Sequence, residues 1–302
     1  MKKTCLVFVL VLVMLAAVGC SQSAEKEAEG PFVTLVDQTG REVVIEKKPE
    51  TIISVSPGNT EIAFALGLDD LIIGVTDYCN YPEAALAKEK IGGFTTPNVE
   101  KIVDLKPDLV FCGNMHEELA AQLEELGLTV ITLAPKTMEE MYEAVELAGK
   151  ATGYEDKAAE LVANMQSRIA AVQEKLSAIT ENERVRVYYE VYSEPLMTAG
   201  GASLINEVIK HAGGINIFAD LNEDYPMVSE EMVLTRDPEF ILYPLFHGSE
   251  ELNIPGRPAW QGVTAIKNEN VHGVTDDSTS RPGPRLVDAV EEMFCVFYPD
   301  LN

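Results

Sequence analysis

The sequence predicts an α/β protein of two lobes joined by one long α-helix, with a ligand cleft between the lobes. Three observations carry this. Short apolar stretches alternate with helical ones, the pattern of parallel sheets covered on both faces. The stretch from Tyr154 to Ile179 has no Pro or Gly. It puts Ala158, Leu161, Val162, Met165, Ile169, Val172, Leu176 and Ile179 on one stripe. Finally, the chain before this helix echoes the chain after it. A shift of 131 positions takes Phe94 to Tyr225, Asn98 to Ser229, Glu100 to Glu231, Pro107 to Pro238 and His116 to His247. Each copy reads aromatic, cap, Glu, short helix, Pro, buried strand, loop with His.

Residues 1–20 read as a targeting segment. Lys2 and Lys3 precede an apolar run from Cys5 to Val18, which is short for a membrane span. Ala17-Val18-Gly19-Cys20 resembles a bacterial lipobox, with Ala17 where Leu is commoner, and makes Cys20 the expected lipidated residue. Residues 21–31 are polar and acidic, as suits a flexible tether. The expected lobes are residues 32–152 and 182–302, with the connecting helix at 153–181.

The 49 acidic residues outnumber the 23 basic ones, for a formal net charge of −26. That excludes nucleic acid as a partner and charge-driven docking on anionic lipid. Nothing demands more than a monomer. Beyond Cys20 remain Cys79, Cys112 and Cys295, an odd number that gives no complete disulfide framework. Cys295 falls on the apolar face of the last helix; Cys79 and Cys112 lie at strand ends, where pairing depends on geometry.

In order, Phe32 to Glu46 predicts a hairpin around Gln38-Thr39-Gly40, and Thr51 to Val55 a buried strand. A helix follows with Asn59 as its N-cap, ending at Gly67. Leu71 to Val75, Asp108 to Cys112 and Thr129 to Leu133 read as strands, and Glu117 to Leu126 as a helix. Thr137 and Glu140 form a capping box for a helix running to Gly149. After the connector come strands at Val185 to Tyr189, Phe240 to Tyr243 and Val271 to Thr275. Helices are expected at Ser203 to His211, after Ser229, and from Arg285 through Cys295.

Ligands of parallel sheets sit beyond the carboxyl ends of the strands. Those ends carry Ser56, Tyr78, His116, Tyr192, His247 and Asp276. Tyr78, Tyr81, Phe94 and Tyr225 are loop aromatics that can grip a large, flat ligand by stacking or pack against the sheet ends. His116 and His247, related by the repeat, can ligate a metal or haem iron, or hydrogen-bond a ligand or the backbone. Arg281 and Arg285 flank Pro282-Gly283-Pro284, a rigid turn that can aim an arginine at a carboxylate or amide, or pair it with Asp276, Asp277 or Asp288. Glu100 and Glu231 stand at helix starts, where a carboxylate is locally favourable; their symmetry also suits docking on a two-fold partner. No nucleophile elbow, phosphate loop, dinucleotide fingerprint or CxxC occurs, so no catalytic set is expected.

Ser56-Pro57 with Thr60-Glu61, Tyr78-Cys79-Asn80-Tyr81-Pro82, Asn98-Val99-Glu100-Lys101-Ile102, Leu105-Lys106-Pro107-Asp108 and Arg281-Pro282-Gly283-Pro284-Arg285 occur in that order. Together they resemble the extracytoplasmic substrate-binding proteins of importers for vitamin B12, ferric siderophores and haem. The resemblance implies two Rossmann-like lobes with modest closure. It implies a lipid-anchored receptor on the outer side of the cell membrane, partnered by an ABC permease dimer with its ATPase subunits, and no required cofactor. Glu100 and Glu231 match the glutamates that engage permease arginines. Tyr78, Phe94 and Tyr225 match aromatics placed around a corrin, with Phe94 and Tyr225 where Trp is familiar. The expected ligand is a cobalamin-like corrinoid; haem or a ferric siderophore is the alternative within the class. A two-lobe redox subunit with His116, His247, Cys79 and Cys112 as metal ligands is the alternative outside it.

Overall fold

The computed structural model describes residues 30–245 and 253–301. Cys20 and His247 lie outside them. An antiparallel hairpin comes first, β1 (Val33–Val36) and β2 (Glu42–Ile45), turning at Gly40. The first sheet then uses β3 (Ile52–Ser54), β4 (Ile72–Val75), β5 (Glu89–Lys90), β6 (Leu109–Cys112) and β7 (Val130–Thr132). Its order is β5-β4-β3-β6-β7, and every neighbouring pair is parallel. The second sheet has the order β10-β8-β11-β12, from β8 (Arg186–Ser193), β10 (Ile215–Asn216), β11 (Phe240–Leu245) and β12 (Val271–Thr275), again parallel. β9 (Leu196–Thr198) returns antiparallel against the end of β8.

The helices of the first half are α1 (Pro57–Ala65), α2 (Val99–Leu105), α3 (Glu117–Glu125) and α4 (Met138–Thr152). Then α5 runs from Glu155 to Leu176, 22 residues or about 33 Å at 1.5 Å per residue. Its buried residues are Ala158, Val162, Met165, Ile169, Val172 and Leu176. Leu161 and Ile179 pack on the same cluster half-covered. The second half has α6 (Leu204–His211), α7 (Glu230–Arg236), α8 (Thr264–Lys267), α9 (Asp276–Ser280) and α10 (Leu286–Phe297).

Helix α5 packs against α4 on one side and against α6 and α10 on the other. One apolar core therefore runs from Leu35 through the α5 stripe to Phe297. The opposite faces of the two sheets keep separate clusters: Ile53, Val110 and Ile102 in the first half, Tyr188, Ile241 and Trp260 in the second.

From cap to buried strand the internal echo survives residue for residue; its His247 end lies outside the described residues. Asn98 caps α2 by accepting from Lys101 N–H at 3.0 Å, and Ser229 caps α7 by accepting from Met232 N–H at 3.3 Å. Both helices then close on a non-glycine residue in the left-handed region, Lys106 at φ 50° and Asp237 at φ 40°. A Pro and the buried strands β6 and β11 follow.

Some boundaries differ from expectation. Asn59 is not an N-cap; Pro57, with its fixed φ, starts α1, and Asn59 sits inside the helix donating to the Cys112 carbonyl at 2.8 Å. Gly149 does not end α4. The helix needs its missing side chain there, because a Cβ would lie 2.5 Å from the Ala158 Cβ of α5; Gly153, at φ 72°, makes the stop. Thr137 accepts from Glu140 N–H, but Glu140 reaches back to Lys136 N–H, one residue beyond the Thr137 N–H of a reciprocal box.

Candidate functional site

Strand ends of both sheets converge on one cleft. Serine 56 follows β3, Tyr78 follows β4, and Phe94 rides the loop between β5 and α2. Asp276 opens α9 directly after β12. These residues line a cavity of about 380 Å³ together with Gly58, Asp277, Ser280, Arg281 and Pro282. A second hollow of about 190 Å³ shares Ser56, Phe94, Ser280 and Pro282, and extends to Met115, Lys136, Asp224 and Tyr225. Two of the aromatics are presented to solvent: Tyr78 is 62% exposed and Tyr225 41%.

The structure thus brings Ser56, Tyr78, Phe94, Tyr225, Asp276 and Arg281 around one opening. Tyrosine 81 stands apart. Its ring lies under the Arg285 guanidinium, 4.0 Å from the ring centroid, and lines a separate cavity of about 310 Å³ with Leu161, Met165 and Pro284. Tyr192 is exposed in β8, outside both hollows.

Beside the cleft the halves meet along a tight seam. Glu61 of α1 is only 3% exposed and takes a two-pronged bond from Arg285, Nε to Oε2 at 2.8 Å and Nη2 to Oε1 at 2.6 Å. Arg281 lies 3.4 Å from the same carboxylate, donates to Asn80 Oδ1 at 2.7 Å, and pairs with Asp277 at 2.7 Å. Gly58 meets the Pro282 backbone so closely that a Cβ would sit 2.3 Å from its carbonyl oxygen. Glu61 was visible in the sequence as part of a motif but not as a partner of Arg281 and Arg285. Its pairing overturns the local one with Asp276 or Asp288. Asp277 does pair with Arg281, as the alternative reading had it.

Among the described residues lining the hollows, Arg281 and Lys136 are the cations, and Arg281 is committed to Glu61, Asn80 and Asp277. Asp224 and Asp276 line the hollows and have no salt bridge among the described residues. Burial, with Asp277 beside it, pushes the Asp276 carboxyl above its ordinary range.

His116 is no open ligand. It is buried behind Phe94, and both ring nitrogens are occupied: Nδ1 accepts from Gly113 N–H at 3.1 Å, and Nε2 meets the Phe94 carbonyl at 2.8 Å. Burial lowers its pKa. A metal ligand needs a free lone pair, and this imidazole has none to offer. Cys79 and Cys112 are free and buried rather than paired. The Cys79 sulfur is satisfied by Thr60 and Thr76, and burial raises the Cys112 thiol to about 12. Among the described residues no group of three His, Cys, Asp or Glu could hold a metal.

Glu100 and Glu231 occupy equivalent positions, each exposed as the second residue of its capped helix. Among the described residues, no helix is long and apolar enough to cross a membrane.

Comparison with known proteins agrees with this architecture. Residues 52–277 match the periplasmic binding protein family. The "Uncharacterized ABC transporter substrate-binding lipoprotein YvrC" of Bacillus subtilis (strain 168) is 34% identical, covering 96% of this chain and 95% of that protein. A vitamin B12-binding protein of Vibrio cholerae is 34% identical over 250 residues, 81% of this chain and 87% of its own. The crystal structure of the periplasmic vitamin B12 binding protein BtuF of Vibrio cholerae superposes with a TM-score of 0.72 at 33% identity, covering 83% of this chain and 98% of that one. Proteins of this kind bind a small molecule outside the cytoplasm and work with permease and ATPase components; they are not enzymes. The match over residues 52–277, together with relatives 34% identical over most of the chain, places this chain in the periplasmic binding protein family, as a substrate-binding protein of an ABC importer.

Proposed function

We propose that this chain captures a cobalamin-like corrinoid and delivers it to its permease. The observation that carries this reading is the character of the cleft. Tyr78, Phe94 and Tyr225 offer aromatic faces to a large flat ligand, while Arg281 is already neutralised and Asp224 and Asp276 add negative charge. Haem, with its propionates, or an anionic ferric siderophore would meet unbalanced carboxylates there. A corrin ring fringed with neutral amides can donate to those carboxylates without adding charge of its own. The vitamin B12-binding relatives support the same choice.

On this reading the lobes are residues 32–152 and 182–302, joined by 153–181. Ser56, Asp276 and Arg281 supply polar contacts. Cys20 carries the lipid that tethers a monomer to the outer side of the cell membrane, and Glu100 and Glu231 dock the two halves of the permease.

Purified protein incubated in turn with cobalamin, haem and a ferric hydroxamate, then desalted, tests the ligand by absorbance. Stoichiometric corrinoid should co-elute, and alanine at Tyr78, Phe94 or Tyr225 should each weaken it by about threefold to tenfold. Retention of haem with a shifted Soret band, and of no corrinoid, would overturn the proposal.

A further inference from the structure

We propose that His116 is a positioning residue that fixes the orientation of the cleft aromatic Phe94. The inference deepens the binding reading above, which makes Phe94 a wall of the ligand site. The Phe94 loop is tied at its ends, where Asp77 N–H donates to the Gly92 carbonyl at 2.9 Å, Asn98 N–H donates to the Ile91 carbonyl at 2.7 Å, and an isolated bridge joins Gly92 to Pro97. It lies between β5 and α2 and passes Gly92 at φ 97° and Gly93. Among the described hydrogen bonds, the Phe94 backbone is held at its carbonyl by the His116 ring.

The imidazole can hold Phe94 in only one protonation state. Gly113 N–H must donate, so Nδ1 is the acceptor, which leaves the proton on Nε2, facing the Phe94 oxygen. The same ring stands edge-on to the Phe94 ring, centroids 5.1 Å apart at 89°. Backbone and side chain of Phe94 are thus gripped by one residue from a different loop.

Two further facts separate this from a capping role. His116 occupies the N-cap position of α3, yet its side chain makes no capping bond. It is 3% exposed, so a ligand in the cleft meets Phe94 rather than the histidine. The anchor of the grip is also firm: a Cβ at Gly113 would lie 3.3 Å from the Ser56 side chain, so Gly113 is packed against the cleft floor.

Phe94→Trp supplies a reporter, because the one natural tryptophan, Trp260, is fully buried and shielded from a soluble quencher. Acrylamide quenching of the ligand-free protein then reads residue 94. His116→Ala in the Phe94→Trp background should raise the quenching constant at least about twofold and lower the emission anisotropy. His116→Gln, which can accept from Gly113 and donate to residue 94, should recover part of the effect. Circular dichroism checks folding, and if the alanine variant is unfolded the glutamine variant alone decides, by a quenching constant raised above that of the Phe94→Trp parent or equal to it. Unchanged quenching and anisotropy in a folded variant would overturn the proposal. A corrinoid dissociation rate raised by His116→Ala in the parent but not in Phe94→Ala would support it independently. If the parent retains no corrinoid, the ligand assignment fails while the quenching result still decides the role of His116.

Discussion

Glu61 carries an unusual share of the contact between the two halves. It is a buried carboxylate whose partners, Arg281 and Arg285, are themselves largely covered. Removing one member of such a group leaves uncompensated charge, so Glu61→Ala should cost about 3–5 kcal/mol in urea denaturation. A loss under about 1 kcal/mol would mean that the arginines simply rehydrate. The sequence displays Glu61, Arg281 and Arg285 but not their union, because Glu61 and Arg285 are 224 positions apart and nearer acids compete as partners. His116 teaches the same lesson. A histidine after a strand end can face the cleft or the floor beneath it, and only the Gly113 and Phe94 contacts decide. Tyr78, Phe94 and Tyr225 were easier to read, since loops at strand ends have few apolar partners to hide behind.

Among the elements, the repeated unit of capped helix, left-handed turn, Pro and buried strand was legible in detail. Its chemistry is local: a cap three residues from its donor, then a turn, then an apolar run. Equivalent capping implies equivalent energetics. Asn98→Ala and Ser229→Ala should each destabilise by about 1 kcal/mol, with similar shifts in denaturation midpoint. A cost confined to one of the two would show that the copies have diverged in what their caps support. The stripe of α5 was legible as well, because its burial follows the helical period. The end of α4 was not. A glycine can stop a helix or admit a neighbour, and Gly149 does the second because α5 turns back against it.

For the molecule as a whole, the two equivalent glutamates give a test that separates delivery from capture. Reversing Glu100 and Glu231 together to Lys should abolish uptake in cells while leaving ligand affinity within about twofold of the parent. Uptake that survives unchanged would remove these residues from the docking surface. The distribution of apolar clusters supports such a separation, since the exposed glutamates sit on α2 and α7, away from the continuous core along α5.

The seam of Gly58, Glu61, Pro282 and Arg285 also bears on the order of assembly. Glu61 belongs to the early part of the chain and Arg285 to its last tenth, so their bond cannot form until nearly all of the polypeptide has emerged. Closing so long a loop is slow compared with pairing neighbouring strands. The first half holds a cluster of its own around Ile53, Val110 and Ile102 that does not depend on this bond. The opening is lined from both halves, by Tyr78 and Phe94 from the first and by Tyr225, Asp276 and Arg281 from the second, so a chain truncated before these last residues would have one wall and no cleft.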